Sequence, residues 1–92
     1  MARSTLNKYE FFKAKNTVKD ELVRGNTPEV VYSRDSDNSP YTVYVVRKGL
    51  HKNGGDFFDY VAHAKRESLA KKKADSVREI IGWVSEQIKE AQ

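Results

Sequence analysis

The stretch 57-FFDYVAHAKRESLAKKKADSV-77 changes its hydrophobic period part-way along, and that change decides the fold. From Ala70 onward the apolar residues recur at helical spacing. The same spacing extended backwards meets Glu67 and His63, which are polar, so we predict a helix over about 67–91. Residues 57–64 alternate instead, which predicts a β-strand. The apolar positions of the helix step by four and three, and they are Ala70, Ala74, Val77, Ile81, Val84 and Ile88. The residues expected on one side of the strand are Phe58, Tyr60, Ala62 and Ala64.

A second helix is predicted near the start of the chain, over about 8–24. Asn7 and Glu10 have the spacing of a capping box, in which each side chain bonds the other residue's backbone N–H. Gly25 is suited to the left-handed conformation that ends many helices, and Pro28 prevents the helix from continuing. Both boundaries of this helix are therefore readable from the sequence.

Two further strands lie between the helices, over about 29–34 and 41–48. Both segments are rich in Val and Tyr and alternate in polarity, and the polar cluster DSDNSP separates them. Short connections favour antiparallel neighbours, and Asn-Gly-Gly marks the reversal before the last strand. We expect one α+β domain over 1–92, ordered α-β-β-β-α, with a three-stranded antiparallel sheet and both helices on one face.

Composition narrows the class of protein. The chain has 92 residues, of which 38% are hydrophobic and 33% charged, enough apolar material for one folded domain. It has no cysteine, no apolar run long enough for a membrane span and no apolar segment typical of a secretory signal. These features predict an intracellular, cytoplasmic protein that does not enter a membrane.

Positive charge is concentrated in the middle of the chain. Residues 47–73 contain eight Lys/Arg and three Asp/Glu, whereas the segment before them carries +1 and the segment after them −2. Three cations in the first turns of a helix oppose its macrodipole, which suggests that an anion faces them. We take all eight bases as candidate nucleic-acid-binding residues: Arg47, Lys48, Lys52, Lys65, Arg66, Lys71, Lys72 and Lys73.

Catalytic and cofactor chemistry has little support in the sequence. His51 and His63 are the two histidines, and there is no cysteine. Asn53-Gly54-Gly55 lacks the Lys-Ser/Thr and the helix that complete a phosphate-binding loop. We therefore expect no enzyme activity, no catalytic residue, no metal and no cofactor.

The local motifs resemble those of the double-stranded RNA-binding domain over about residues 16–84. Pro28-Glu29 precede the first strand, Pro40 precedes the second, and 70-AKKKAD-75 stands where the family has Ser-Lys-Lys-x-Ala-Lys. Lys71, Lys72 and Ala74 match that motif, whereas Ala70 and Asp75 replace its serine and final lysine. The resemblance implies the α-β-β-β-α fold and a grip on duplex phosphates by the lysines that open the last helix.

Two functions from different classes remain open at this point. The first is a small module that recognises duplex RNA, or duplex DNA, by shape and phosphates. The alternative is a small protein-binding adaptor or inhibitor, of the kind found in viruses and phages, whose basic patch meets an acidic protein.

Two further surfaces are also open. Tyr44 and Val46 beside Val61 would make an apolar sheet face able to stack single-stranded bases or to contact a protein. We expect a monomer, with a homodimer through the long last helix as the alternative.

Overall fold

A computed structural model describes residues 5–91 and has the predicted element order. The elements are α1 (Lys8–Val23), β1 (Glu29–Ser33), β2 (Tyr41–Arg47), β3 (Phe57–Ala64) and α2 (Glu67–Ala91). The α+β class and the α-β-β-β-α order are confirmed, and no boundary differs from its prediction by more than one residue.

The three strands form one antiparallel sheet in the order β1-β2-β3. At one end of the sheet Tyr41 pairs with Ala64, where β2 begins and β3 leads into α2. At the other end Arg47 pairs with Phe57, beside the β2–β3 hairpin. Six residue steps along β2 separate these ends by about 20 Å. Basic side chains at opposite ends of the sheet are therefore too far apart to contact the same phosphate.

The core lies between one face of the sheet and both helices. Val43 and Val45 of β2 are fully buried on that face, and Val30 of β1 pairs with Val45 beside them. Ala14 and Val18 of α1 belong to the same cluster and have no exposed surface. Small and β-branched side chains at these positions let both helices approach the sheet closely.

A β-bulge in β3 overturns the predicted alternation of that strand. Tyr44 pairs with Tyr60, but its neighbour Val43 pairs with Ala62, so Val61 is an additional residue in β3. The bulge reverses which side chains face the helices: Ala62 is buried in the core, whereas Tyr60 is about half exposed. The prediction that Phe58, Tyr60, Ala62 and Ala64 share one side is therefore wrong.

The bulge also changes the side of the sheet on which the Val61 side chain lies. This side chain is 2% exposed and belongs to the core cluster, so it does not extend the open face beside Tyr44 and Val46 as the sequence suggested. The open face is completed by Phe58 and Tyr60 instead, which pair with Val46 and Tyr44.

Both ends of α1 have the predicted capping interactions. The Asn7 side chain accepts a hydrogen bond from the Glu10 backbone N–H at 2.8 Å, and a Glu10 carboxylate oxygen accepts one from the Asn7 N–H at 3.0 Å. At the other end Gly25 has φ +86°, and its N–H and that of Asn26 bond the carbonyls of the last turn. A side chain at position 25 would be strained in that conformation.

The apolar stripe of α2 faces the core slightly differently from its prediction. Ala70, Ala74, Val77 and Val84 are buried, as the helical spacing predicts. Ile81 is only partly buried, because its neighbour Ile80 occupies the core-facing position at 5% exposure. No helix within residues 5–91 is long and apolar enough to cross a membrane.

Candidate nucleic-acid interface

Lys73 does not lie on the surface with its neighbours in the lysine run. Its ammonium donates to both carboxylate oxygens of Glu10 at 3.0 Å and to the His63 backbone carbonyl at 2.7 Å. The residue is 9% exposed. The anion that faces this lysine is therefore an internal carboxylate of α1, and the expectation that Lys73 contributes to an exposed patch is wrong.

Glu10 and Lys73 together bond the backbone of His63 at the outer edge of the sheet. The His63 N–H donates to Glu10 at 3.2 Å, while the His63 carbonyl accepts from Lys73, so both outward backbone groups of this β3 residue have partners. Unpaired edge groups invite pairing with another chain, and inward-directed charges are one way of preventing it. This arrangement gives the lysine a structural role in the strand edge.

The surroundings of Glu10 favour its charged form. Burial raises the pKa of this carboxyl, but hydrogen bonds from the Asn7 backbone, from Lys73 and from the His63 backbone together bring the pKa below its usual value. Glu10 thus serves the helix cap, the lysine and the strand edge at once.

Arg47 is likewise held within the molecule. Its guanidinium bonds Glu21 at 2.8 Å, Asp59 at 3.2 Å and Asp20. Only 13% of its side chain is exposed, and three carboxylates surround it. The expectation that Arg47 belongs to an exposed basic track is wrong, since its donors already meet α1 and β3.

Glu21 is the centre of this second internal cluster and is fully buried. It also accepts hydrogen bonds from Arg24 at 2.8 Å, from Asn26 at 3.1 Å and from the Lys48 N–H at 3.2 Å. Burial raises the pKa of Glu21, but the bonds from Arg47, the Lys48 backbone and Asn26 lower it overall. A fully buried glutamate needs several donors, and nothing in the local sequence around Glu21 indicated that burial.

The other six candidate bases are exposed but lie in two groups at opposite ends of the sheet. Lys48 and Lys52 belong to the β2–β3 hairpin, near the Arg47–Phe57 pair. The second group lies in and after the turn that follows Ala64, and we call it the α2 basic cluster: Lys65, Arg66, Lys71 and Lys72. The sheet length separates the groups by about 20 Å, so they do not form one continuous surface.

The α2 basic cluster differs from Arg47, Lys48 and Lys73 in its partners, and among the described residues only Lys52 of the other candidate bases also has no ion pair. Within residues 5–91, no carboxylate lies at ion-pair distance from any of its four side chains. By contrast, Lys48 in the hairpin lies 3.7 Å from Glu29 and 3.6 Å from Asp56. Glu67 is the acid within 65–72, and its carboxylate accepts a hydrogen bond from the Tyr32 hydroxyl at 3.3 Å. The cluster therefore retains its positive charge.

The backbone at the start of α2 adds to this charge. The Arg66 carbonyl accepts the Ala70 N–H at 3.0 Å, which makes Arg66 the residue that precedes the first helical turn. An arginine has no side-chain oxygen that could accept from the free N–H groups of that turn, unlike Asn7 at the start of α1. These N–H groups and the helix dipole favour an anion at the same place.

The structure adds Arg34 to this end of the molecule, a residue that the sequence-based selection missed. Arg34 and Lys65 line one cavity of about 340 Å³ together with Pro40 and the β1–β2 loop. The Arg34 guanidinium lies 4.8 Å from the centre of the Tyr41 ring, bonds the Asp37 carbonyl at 3.2 Å and lies 3.5 Å from the Asp37 carboxylate. Arg34 lies outside the segment 47–73, and only the sheet register brings it beside Lys65.

The chain matches no protein-family model, no curated protein and no solved structure. The resemblance to the double-stranded RNA-binding domain therefore stays a prediction that rests on the motifs of the sequence. Within residues 5–91, no group of three His, Asp or Glu side chains could hold a metal ion.

Proposed function

We propose that this protein binds duplex nucleic acid through the α2 basic cluster, with duplex RNA favoured and duplex DNA possible. The observation that carries the proposal is the grouping, among the described residues, of four candidate bases without ion pairs at the start of α2, whereas the hairpin has one such base, Lys52. Arg47, Lys48 and Lys73 have carboxylate partners within 4 Å, whereas the four cations over 65–72 have none within residues 5–91. Cations without internal partners are available to phosphates.

Phosphate contact accounts for the chemistry of this cluster. Lysine and arginine side chains reach phosphate oxygens several ångströms from the helix, and the free N–H groups at the start of α2 attract the same anions. Each phosphate neutralised releases condensed counterions, so binding weakens steeply as salt rises. Recognition would follow backbone shape, since lysines that contact phosphates carry no sequence information.

Duplex RNA is favoured by the resemblance and by groove geometry. A-form RNA has a narrow major groove with phosphates on both sides, and shape-reading proteins contact these phosphates and the 2′-hydroxyls. Arg34, beside Lys65, is paired with the Asp37 carboxylate at 3.5 Å, so the four cations of the α2 basic cluster would supply the contact. Duplex DNA has the same backbone charge with different groove widths, so the two duplexes are compared in the test.

The test is a pair of charge-matched variants. We expect Lys71→Gln with Lys72→Gln to weaken duplex binding at low salt and to lower the slope of log affinity against log salt by up to about two units. The matched control is Lys48→Gln with Lys52→Gln in the hairpin, which removes the same charge from the opposite end. Binding is measured by fluorescence anisotropy with duplex RNA and duplex DNA across a salt series.

Any of three results would contradict the proposal. Equal weakening by both pairs would mean that net charge alone governs binding, and an unchanged affinity of the Lys71/Lys72 variant would place the contact elsewhere. If the unaltered protein binds neither duplex at low salt, the acidic-protein alternative would lead.

A further inference from the structure

The face of the sheet that lies away from the helices is unusually aromatic for a solvent-facing surface. Tyr44 and Val46 of β2 pair on this face with Tyr60 and Phe58 of β3. Phe58 is 53% exposed and Tyr60 is 49% exposed. An antiparallel sheet with one solvated face ordinarily places polar residues there. We call this surface the open sheet face.

The side chains of the open sheet face are packed against one another. Val46 is 2% exposed although it lies outside the core cluster, so neighbouring side chains on the open face cover it. The Tyr44 and Phe58 rings meet edge to face with their centres 6.0 Å apart. Such packing holds the aromatic rings in place before any partner arrives, which reduces the entropy lost on binding.

Positive charge borders these rings. The Lys13 ammonium of α1 covers one face of the Tyr60 ring at 3.4 Å from its centre, and it pairs with the Asp59 carboxylate at 3.9 Å. The His63 ring lies 5.5 Å from that of Tyr60. The acid on this face, Glu29, has the Lys48 ammonium 3.7 Å from its carboxylate. Aromatic rings beside cations are complementary to bases joined by phosphates.

The size of the face argues against a protein partner. Three strands about 4.8 Å apart and about 23 Å long give a footprint of roughly 300 Å². A stable protein interface buries about 800 Å² of accessible surface on each partner, so a protein would have to contact residues well beyond this face. A single strand needs only adjacent stacking platforms, and Phe58 and Tyr60 are two residues apart on β3, about 7 Å. Paired bases in a duplex are already stacked on one another, so their faces are not available to these rings.

We propose that the open sheet face binds single-stranded nucleic acid, with bases stacked on Phe58 and on the face of the Tyr60 ring that Lys13 does not cover. This site is independent of the proposed duplex function, because it uses different residues. Stacking on an aromatic ring tolerates any base, so the site would have little sequence preference.

The experiment uses fluorescence anisotropy with labelled oligouridine and oligothymidine of about 12 nucleotides, within the usual site size of sheet-based single-strand binders. We expect Phe58→Thr and Tyr60→Thr each to weaken binding by about fivefold or more, since threonine keeps β-propensity but has no ring. The matched control is Phe12→Ala on α1, which removes an equally exposed phenylalanine, 52% against 53%. This control should leave binding within about twofold, a change smaller than the loss of one stacked base.

Two further measurements distinguish lost stacking from lost folding, and single-strand binding from duplex binding. Phe58→Leu with Tyr60→Leu keeps an apolar cover over Val46 without an aromatic face, so it should show the same loss while remaining folded. Duplex binding should be unaffected by these variants, and single-strand binding should persist in Lys71→Gln with Lys72→Gln, so the two proposals fail separately.

Three outcomes would overturn the inference: no single-strand binding by the unaltered protein, full binding by the leucine pair, or an equal loss with Phe12→Ala. Self-association of the unaltered protein in sedimentation, abolished by the leucine pair, would also overturn it. That result would make the face a contact between copies.

Discussion

Single residues in the lysine run have opposite roles although they are adjacent. Lys71 and Lys72 are exposed, whereas Lys73 is buried against Glu10 and the edge of β3. Three neighbouring positions on a helix point about 100° apart and together span about 200°, and Lys73 is the one that lies on the side packed beside α1. The Glu10 carboxylate of α1 pairs with this lysine.

Replacing Lys73 should therefore destabilise the fold in addition to removing a positive charge. We expect Lys73→Met to lower the free energy of unfolding by about 3 kcal/mol, because Glu10 would be left buried without its cation. The control Lys72→Met removes the same charge from an exposed position and should change stability by less than about 0.5 kcal/mol. Urea denaturation measures both, and similar values for the two variants would show that the pair contributes nothing.

At the scale of elements, α2 reaches beyond the sheet and depends on α1 for cover. Its 25 residues span about 37 Å, against about 23 Å for a seven-residue strand. Toward its end, Val84 and Ile88 line a cavity of about 210 Å³ together with Lys15 and Lys19 of α1. The first helix thus packs along the part of α2 that extends beyond the sheet. A homodimer through α2 stays a prediction.

The orientation of α2 can be tested with two adjacent isoleucines. Ile80 is 5% exposed and in the core, whereas Ile81 is partly buried beside Pro28. We expect Ile80→Ala to cost about 2–4 kcal/mol through lost burial and a residual cavity, and Ile81→Ala to cost about half as much or less. Thermal or urea unfolding of the two variants compares identical chemical changes, and the reverse order would mean that the helix is rotated.

At the scale of the whole molecule, the internal ion pairs link stability to acid. The pKa values of Glu10 and Glu21 are both lowered from 4.5 in the folded state. A lowered carboxyl pKa contributes stability that is present above the unfolded-state value and is lost as the pH falls through the folded-state value. The two glutamates join α1 to α2, β2 and β3, so their protonation loosens the entire assembly.

We therefore expect the free energy of unfolding to be nearly constant from neutral pH to about 4.5 and to fall below it. Glu21→Gln should lower stability at neutral pH, because Arg47 loses its buried partner, and should flatten the fall in acid. Urea titrations at a series of pH values measure this. An equally steep acid fall in the variant would assign the pH dependence to other carboxylates.

The sequence by itself determined the elements and their order. Local signals were sufficient for this: the capping box at Asn7, the stop at Gly25, and the change of period between 57–64 and 67–91. Each of these acts within a few residues, through hydrogen bonds and backbone conformations that the chain specifies locally.

Only the tertiary structure decided which charged and aromatic residues are available at the surface. Lys73 and Arg47 have the same local appearance as the exposed bases, and their partners lie 63 and 26 residues away in the chain. The bulge at Val61 likewise depends on pairing with β2, and it places Tyr60 outside and Ala62 inside. Ion pairs and strand register join distant parts of the chain, so they follow from packing and not from local pattern.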